Sequence, residues 1–209
     1  MVTKTESESP GAPLSRDFFE RDPVVCAREL IGKTLKWDGC AGIVVETEAY
    51  AEIGDEACHT FFRPSARTFV ASHPAGTAYV YLNYGMYWLT NVLVKNPENG
   101  DRGFVLIRAL EPVEGLATMR ERRGREKPRD LCSGPGKLSM ALGITGDHHG
   151  SCLVGAGSSA KARGFFHAPS IAVIADRRIG ISRSQALPWR FLAEGNAHVS
   201  VPFGRVRPA

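Results

Sequence analysis

Two strand-like runs, TAYVYLN (77–83) and YWLTNVLV (87–94), face each other across Tyr84-Gly85-Met86, and this pairing constrains the fold more than any other segment. Both runs are rich in aromatic and β-branched residues, and the glycine between them supplies the left-handed backbone that a tight hairpin needs. Centring the hairpin on Gly85 pairs Tyr81 with Leu89 and Tyr79 with Asn91. Side chains alternate along a strand, so Tyr81 and Asn91 share a face. Tyr84 is left at the tip, with Met86 beside it.

The flanking pattern extends this hairpin into a sheet. LKW (35–37) and GIVVETEAY (42–50) read as paired strands about an Asp38-Gly39 turn, and GFVLIRAL (103–110) as a further strand. A helix is expected after Asp22-Pro23, stopped by Gly32, and another near Glu111-Pro112. The stretch 51–74 shows no clear period and reads as a long irregular connection. LCSGPGKLSMALGI reads as a short helix, SIAVIADRRIGIS and HVSVPF as further strands. Without repeats or a βαβ rhythm, the fold expected is α+β: one mixed domain, 17–209, around a curved, largely antiparallel sheet with a protruding β-hairpin. A chain of 209 residues, 43% hydrophobic, suits one core. Residues 1–16 are polar and rich in Pro, Gly and Ser, and read as a disordered tail without a secretory segment.

Several function classes drop out. The run from Tyr79 to Val94 is too short and polar to span a bilayer, so an intracellular location without a membrane partner is expected. That means cytoplasm or nucleoid in a bacterium, nucleus in a eukaryote. The five cysteines are scattered and form no zinc pattern with the histidines, so no metal is expected. CSGPGKL lacks the Walker spacing, which argues against nucleotide hydrolysis. Charge is uneven: Arg120, Arg122, Arg123, Arg125, Lys127 and Arg129 face only Glu121 and Glu126. Such clustering fits either a polyanion partner or a solvated helix end.

In GIVVETEAY the two-residue period puts Glu46, Glu48 and Tyr50 on one face. Neighbouring carboxylates raise each other's pKa, and one of them could act as a general base toward water. Spacing does not choose between Glu46 and Glu48, nor exclude a solvated strand face. Tyr84 and Met86 either project as a wedge between base steps or fold back on the core. His59 either steadies its loop or joins Tyr50 and Tyr81 in an aromatic cage. Arg108 either meets a phosphate or pairs with Glu111.

VETEAY, GDEACHT, YVYLNYGMYWLTN, VLIRALEP and LCSGPGKL, in this order from about Phe18 to near the C-terminus, resemble the alkyladenine (methylpurine) DNA glycosylase family. The resemblance implies that Glu48 activates the attacking water. It implies that Tyr50, His59, Tyr81 and Asn91 line the base pocket, with Asn91 hindering the amine of normal guanine. It places Tyr84 in the gap left by a flipped nucleotide, Met86 beside it, and Arg108 near the DNA backbone. It further implies hydrolytic removal of 3-methyladenine, 7-methylguanine, hypoxanthine or ethenoadenine from double-stranded DNA, by a monomer with no cofactor, water rather than a lysine amine attacking. Cys58 and Thr60 around His59, Asn83, and SARTFVASHPAG depart from the family's usual residues and put the lesion range in doubt. The competing reading is a non-catalytic module that binds damaged nucleic acid.

Overall fold

The computed structural model describes residues 11–155 and 161–206. Strands β1 (Thr34–Trp37), β2 (Cys40–Ala51), β3 (Ala78–Asn83), β4 (Tyr87–Lys95), β5 (Arg102–Glu114), β6 (Arg163–Phe166), β7 (Val173–Asp176) and β8 (Arg190–Ala193) form one curled antiparallel sheet. Its main path runs β3-β4-β5-β2-β1-β6, while β8 pairs with β2 and β7. The first part of β2 therefore pairs with β1 and the later part, Glu46–Glu48, with β8.

Local chemistry sets the turns. Asp38 and Gly39, with φ of 46° and 82°, make the two-residue turn between β1 and β2, where both central residues need positive φ. The β3–β4 register pairs Tyr81 with Leu89 and Tyr79 with Asn91, as the sequence predicts. At its tip both Tyr84 (φ 50°) and Gly85 (φ 67°) are left-handed.

The helices are α1 (Pro23–Leu30), α2 (His59–Phe62), α3 (Pro64–Ser72), α4 (Leu116–Arg123), α5 (Pro128–Cys132) and α6 (Pro135–Leu142). Helix α1 begins as expected: the Asp22 carboxylate accepts from the Val24 and Val25 amides at 2.8 and 3.0 Å, and Pro23 starts the first turn. Its Cys26, Ala27 and Leu30 are buried in the main core, with Trp37, Val45, Val105 and Ile107. A second cluster, Cys58, Ala66, Phe69, Val70, Tyr79, Leu93 and Phe104, carries Tyr50 and Tyr81 on its border.

Four local expectations are corrected. The stretch 51–74 contains α2 and α3, because Ala66, Phe69 and Val70 give α3 one apolar face and Pro64 opens it. No helix starts at Glu111-Pro112. Strand β5 continues to Glu114, with Pro112 opposite Gly42 at an irregularity, and α4 begins only after Gly115, left-handed at φ 74°. HVSVPF is not a strand, whereas RGFF and RFLA are. Residues 11–16 do not trail free: Leu14 is fully buried, and its amide donates to the carbonyl of Phe165 in β6. Residues 1–10 of the expected tail lie outside the described residues. No helix among the described residues is long and apolar enough to cross a membrane.

Candidate functional site

Strands β2 and β5 hold the site because their ladder is broken twice around Glu46. The register shifts around Glu46, so that Val45 on β2 and Arg108 on β5 are each left without a partner. A bulge bends its strand and re-aims side chains. Arg108, released from the ladder, donates from Nε to Glu46 Oε1 at 3.0 Å and from a terminal nitrogen to Glu48 Oε2 at 3.2 Å. At 7% exposure it is buried, and its acid partners are Glu46 and Glu48, not Glu111. This corrects the expected pairing of Arg108 with Glu111: it is an interior cation shared by two acids, and it also lines the cavity described below.

The two acids that share a strand face in the sequence have different surroundings, although both are fully buried. Glu46 Oε1 accepts from Arg108, from Arg190 Nε at 2.8 Å and from Ser200 Oγ at 2.8 Å, and its Oε2 accepts from the Ser200 amide. Burial would raise its carboxyl, but Arg108, Arg190 and the Ser200 N–H outweigh that and hold it below the usual range. Glu46 is thus a fixed counterion with its acceptors occupied.

Glu48 takes three donors: the Ile179 amide on Oε1 at 2.7 Å, and the Tyr50 hydroxyl at 2.7 Å and Arg108 on Oε2. A carboxylate has about four acceptor positions, so one on Oε1 is unused. Tyr50, Arg108 and Ile179 all line a cavity of about 1050 Å³. Glu48 therefore lies directly behind the cavity floor, touching three residues that form it, and Glu46 touches only one.

The walls come from α2 and the hairpin. His59 opens α2; its Nδ1 lies 3.0 Å from the Tyr79 hydroxyl, and its ring meets Tyr81 edge-on with centroids 4.5 Å apart. Burial, helped by the charge of Arg63, lowers its imidazole to about 4, so the ring is neutral near pH 7. Burial pushes the Tyr81 phenol up to about 12 and raises Tyr50 well above 10, with Glu48 adding to the shift of Tyr50. Asn91, 4% exposed, donates from Nδ2 to the Tyr79 carbonyl at 3.1 Å. Tyr50, His59, Tyr81 and Asn91 all line the cavity.

At the mouth Tyr84 is 82% exposed and Met86 67%, so the hairpin tip projects rather than folding onto the core. Lys137, from CSGPGKL, also lines the cavity next to Gly136, where an added Cβ would stand 2.9 Å from that of Tyr87. Among the described residues no group of three His, Cys, Asp or Glu could hold a metal ion. Cys58, packed under the wall, has its thiol pushed up to about 11 by burial.

Sequence reasoning missed three contributors. Tyr79 shares its face with Tyr81 and Asn91, so the two-residue period could have found it. Ile179 acts through its backbone N–H, which leaves no side-chain signal. Arg178, buried beside it, binds Asp55 in a bidentate pair at 2.6 and 2.8 Å, donates to the Ala49 carbonyl, and stacks 4.6 Å from the Tyr50 ring centroid. It fixes Tyr50 and Ile179, two of the three donors to Glu48.

Residues 17–197 match the family model described as methylpurine-DNA glycosylase. Relatives named as 3-methyladenine DNA glycosylases span nearly the whole chain. One from Rhodopseudomonas palustris strain BisB18 is 46% identical, over 92% of this chain and 93% of its own length. One from Bradyrhizobium diazoefficiens is 41% identical, over 97% and 98%. One from Burkholderia cenocepacia is 42% identical, over 98% and 99%.

Proposed function

This chain belongs to the methylpurine-DNA glycosylase family and is a DNA glycosylase of DNA repair, and on that premise we propose that it excises alkylated and deaminated purines from duplex DNA by direct attack of water. The observation that carries this reading is the position of Glu48. It stands behind the floor of an aromatic cavity, held by three donors and with one acceptor position unused.

A glycosidic bond cannot be reached inside the stack, so the nucleotide must rotate out, at a cost of a few kcal/mol. Tyr84 at the exposed tip fills the gap, with Met86 at its side. The flipped purine lies between Tyr50, His59 and Tyr81, where stacking on each ring is worth about 1–3 kcal/mol. Glu48 takes a proton from water, whose oxygen bonds to C1′, while the bond pair of the glycosidic link leaves with the purine nitrogen. A 3-methyladenine or 7-methylguanine nucleotide carries positive charge on the base, so the leaving group departs neutral. Hypoxanthine and ethenoadenine need a proton as they leave. Asn91, tethered at the wall, stands where an exocyclic amine of normal guanine would clash. The product is an abasic site.

The test is release of each of the four bases from defined duplexes, paired with borohydride treatment during turnover. Base release without a trapped protein–DNA adduct is expected. An adduct that disappears in Lys137→Ala would replace water by an amine as the nucleophile.

A further inference from the structure

Besides the hairpin tip, the cavity is lined by a second exposed apolar pair. Phe61 and Phe62, on α2, are each 51% exposed and line the cavity. Large apolar rings left in water at a site's rim mark a contact surface. This one is held in place: Arg67 donates to the Thr60 carbonyl at 2.8 Å and to the Phe61 carbonyl at 3.4 Å, and the Arg63 amide closes α2 on the His59 carbonyl. Guanidinium groups accompany both rings, with Arg183 5.5 Å from the Phe61 centroid and Arg63 5.7 Å from that of Phe62.

Exposed rings with guanidinium groups over them, that of Arg183 also 3.2 Å from Glu56, match the chemistry of single-stranded nucleic acid, which offers a flat base and a phosphate side by side. We propose that Phe61 and Phe62 form a second jaw that grips the strand carrying the lesion, Phe61 stacking on the nucleotide next to the flipped one while Arg183 meets its phosphate. This inference rests on the reading of the chain as a base-flipping glycosylase. The two projections then have different tasks: Tyr84 fills a hole that exists only in a duplex, whereas the Phe61 jaw holds one strand whether or not its complement is present.

Phe61 is the residue to change, because Phe62 also touches His59, with ring centroids 5.4 Å apart. Binding of lesion-bearing single strands and duplexes is measured by fluorescence anisotropy for wild type, Phe61→Ala, Phe61→Leu and Phe61→Trp. Loss of one base stack predicts an affinity about 5- to 150-fold weaker for Ala, on both substrates. Leu, which keeps apolar bulk but no ring face, should lose as much, and Trp should stay within about twofold of wild type. Wild-type affinity in Leu, or a loss confined to duplex, overturns the proposal. Excision by the wild-type protein is assayed separately. Binding without excision would defeat the glycosylase reading, whereas excision with unaltered binding by Phe61→Ala would defeat only the jaw.

Discussion

Beneath the pocket, Glu46, Glu48, Asp55, Arg108, Arg178 and Arg190 are at most 7% exposed and neutralise one another. At its mouth, Tyr84, Met86 and Phe61 are apolar and at least half exposed. Each region inverts the ordinary preference, charge outside and apolar surface inside. Burying an ion costs several kcal/mol and is offset only by well-made pairs and hydrogen bonds. Exposed rings forgo the stabilisation that burial would give. Departures from stability at opposite ends of one cavity point to a site shaped by its substrate: the floor keeps charge in fixed positions, and the mouth waits for apolar cover.

The sharpest test of the floor is Glu48→Gln. Gln keeps the shape but cannot take a proton from water, so base release should fall about 100- to 10,000-fold while duplex affinity is retained. Single-turnover release from methylated duplex measures it, and full activity in the variant would sink Glu48 as the base. Glu46→Leu acts on the same layer differently. It leaves Arg190 and one arm of Arg108 buried without their shared anion. Stability should drop by about 3–5 kcal/mol, read from the urea midpoint. An unchanged midpoint would show that the layer is not held by its charge pairs.

The mouth was far more legible in the sequence than the floor. A local alternation and one glycine were enough to pair Tyr79 with Asn91 and leave Tyr84 at the tip, because hairpin register is set by neighbouring residues. The floor is non-local: Glu46 and Glu48 meet Arg108, Ile179, Arg190 and Ser200 from distant segments. The arginine at 108 was visible, but the double bulge that turns it inward was not. Period-two reasoning grouped both acids on one face, and only their partners separate them. Pro112 misled by resembling a helix start, where in fact it lies inside β5, in the part that runs on past the β4 ladder, whose last pair is at Leu106.

At the mouth, Tyr84→Ala should leave stability within about 0.5 kcal/mol, since the ring is 82% exposed. Affinity for lesion duplex should nevertheless fall about tenfold or more, against little change on single strands. Equal losses on both substrates would make Tyr84 a general contact instead of a wedge. Tyr84→Gly refines the comparison: at φ 50° a glycine relieves the backbone cost carried by tyrosine or alanine, so Gly should be the more stable of the two variants.

His59, between floor and mouth, gives a pH signature. Its imidazole is lowered from 6.5 to about 4 by burial, with Arg63 adding to the shift. Between those values the unfolded chain binds a proton that the folded chain refuses, so this residue lowers stability as pH falls from about 6.5 to about 4. Above that window it contributes no pH dependence. Wild type should therefore lose more Tm than His59→Gln on going from pH 7 to pH 4.5. Parallel Tm curves would mean that the ring protonates in the folded pocket as readily as in water. The neutral, shielded wall ascribed to it, against which a cationic purine can stack without meeting a second positive charge, would then be lost.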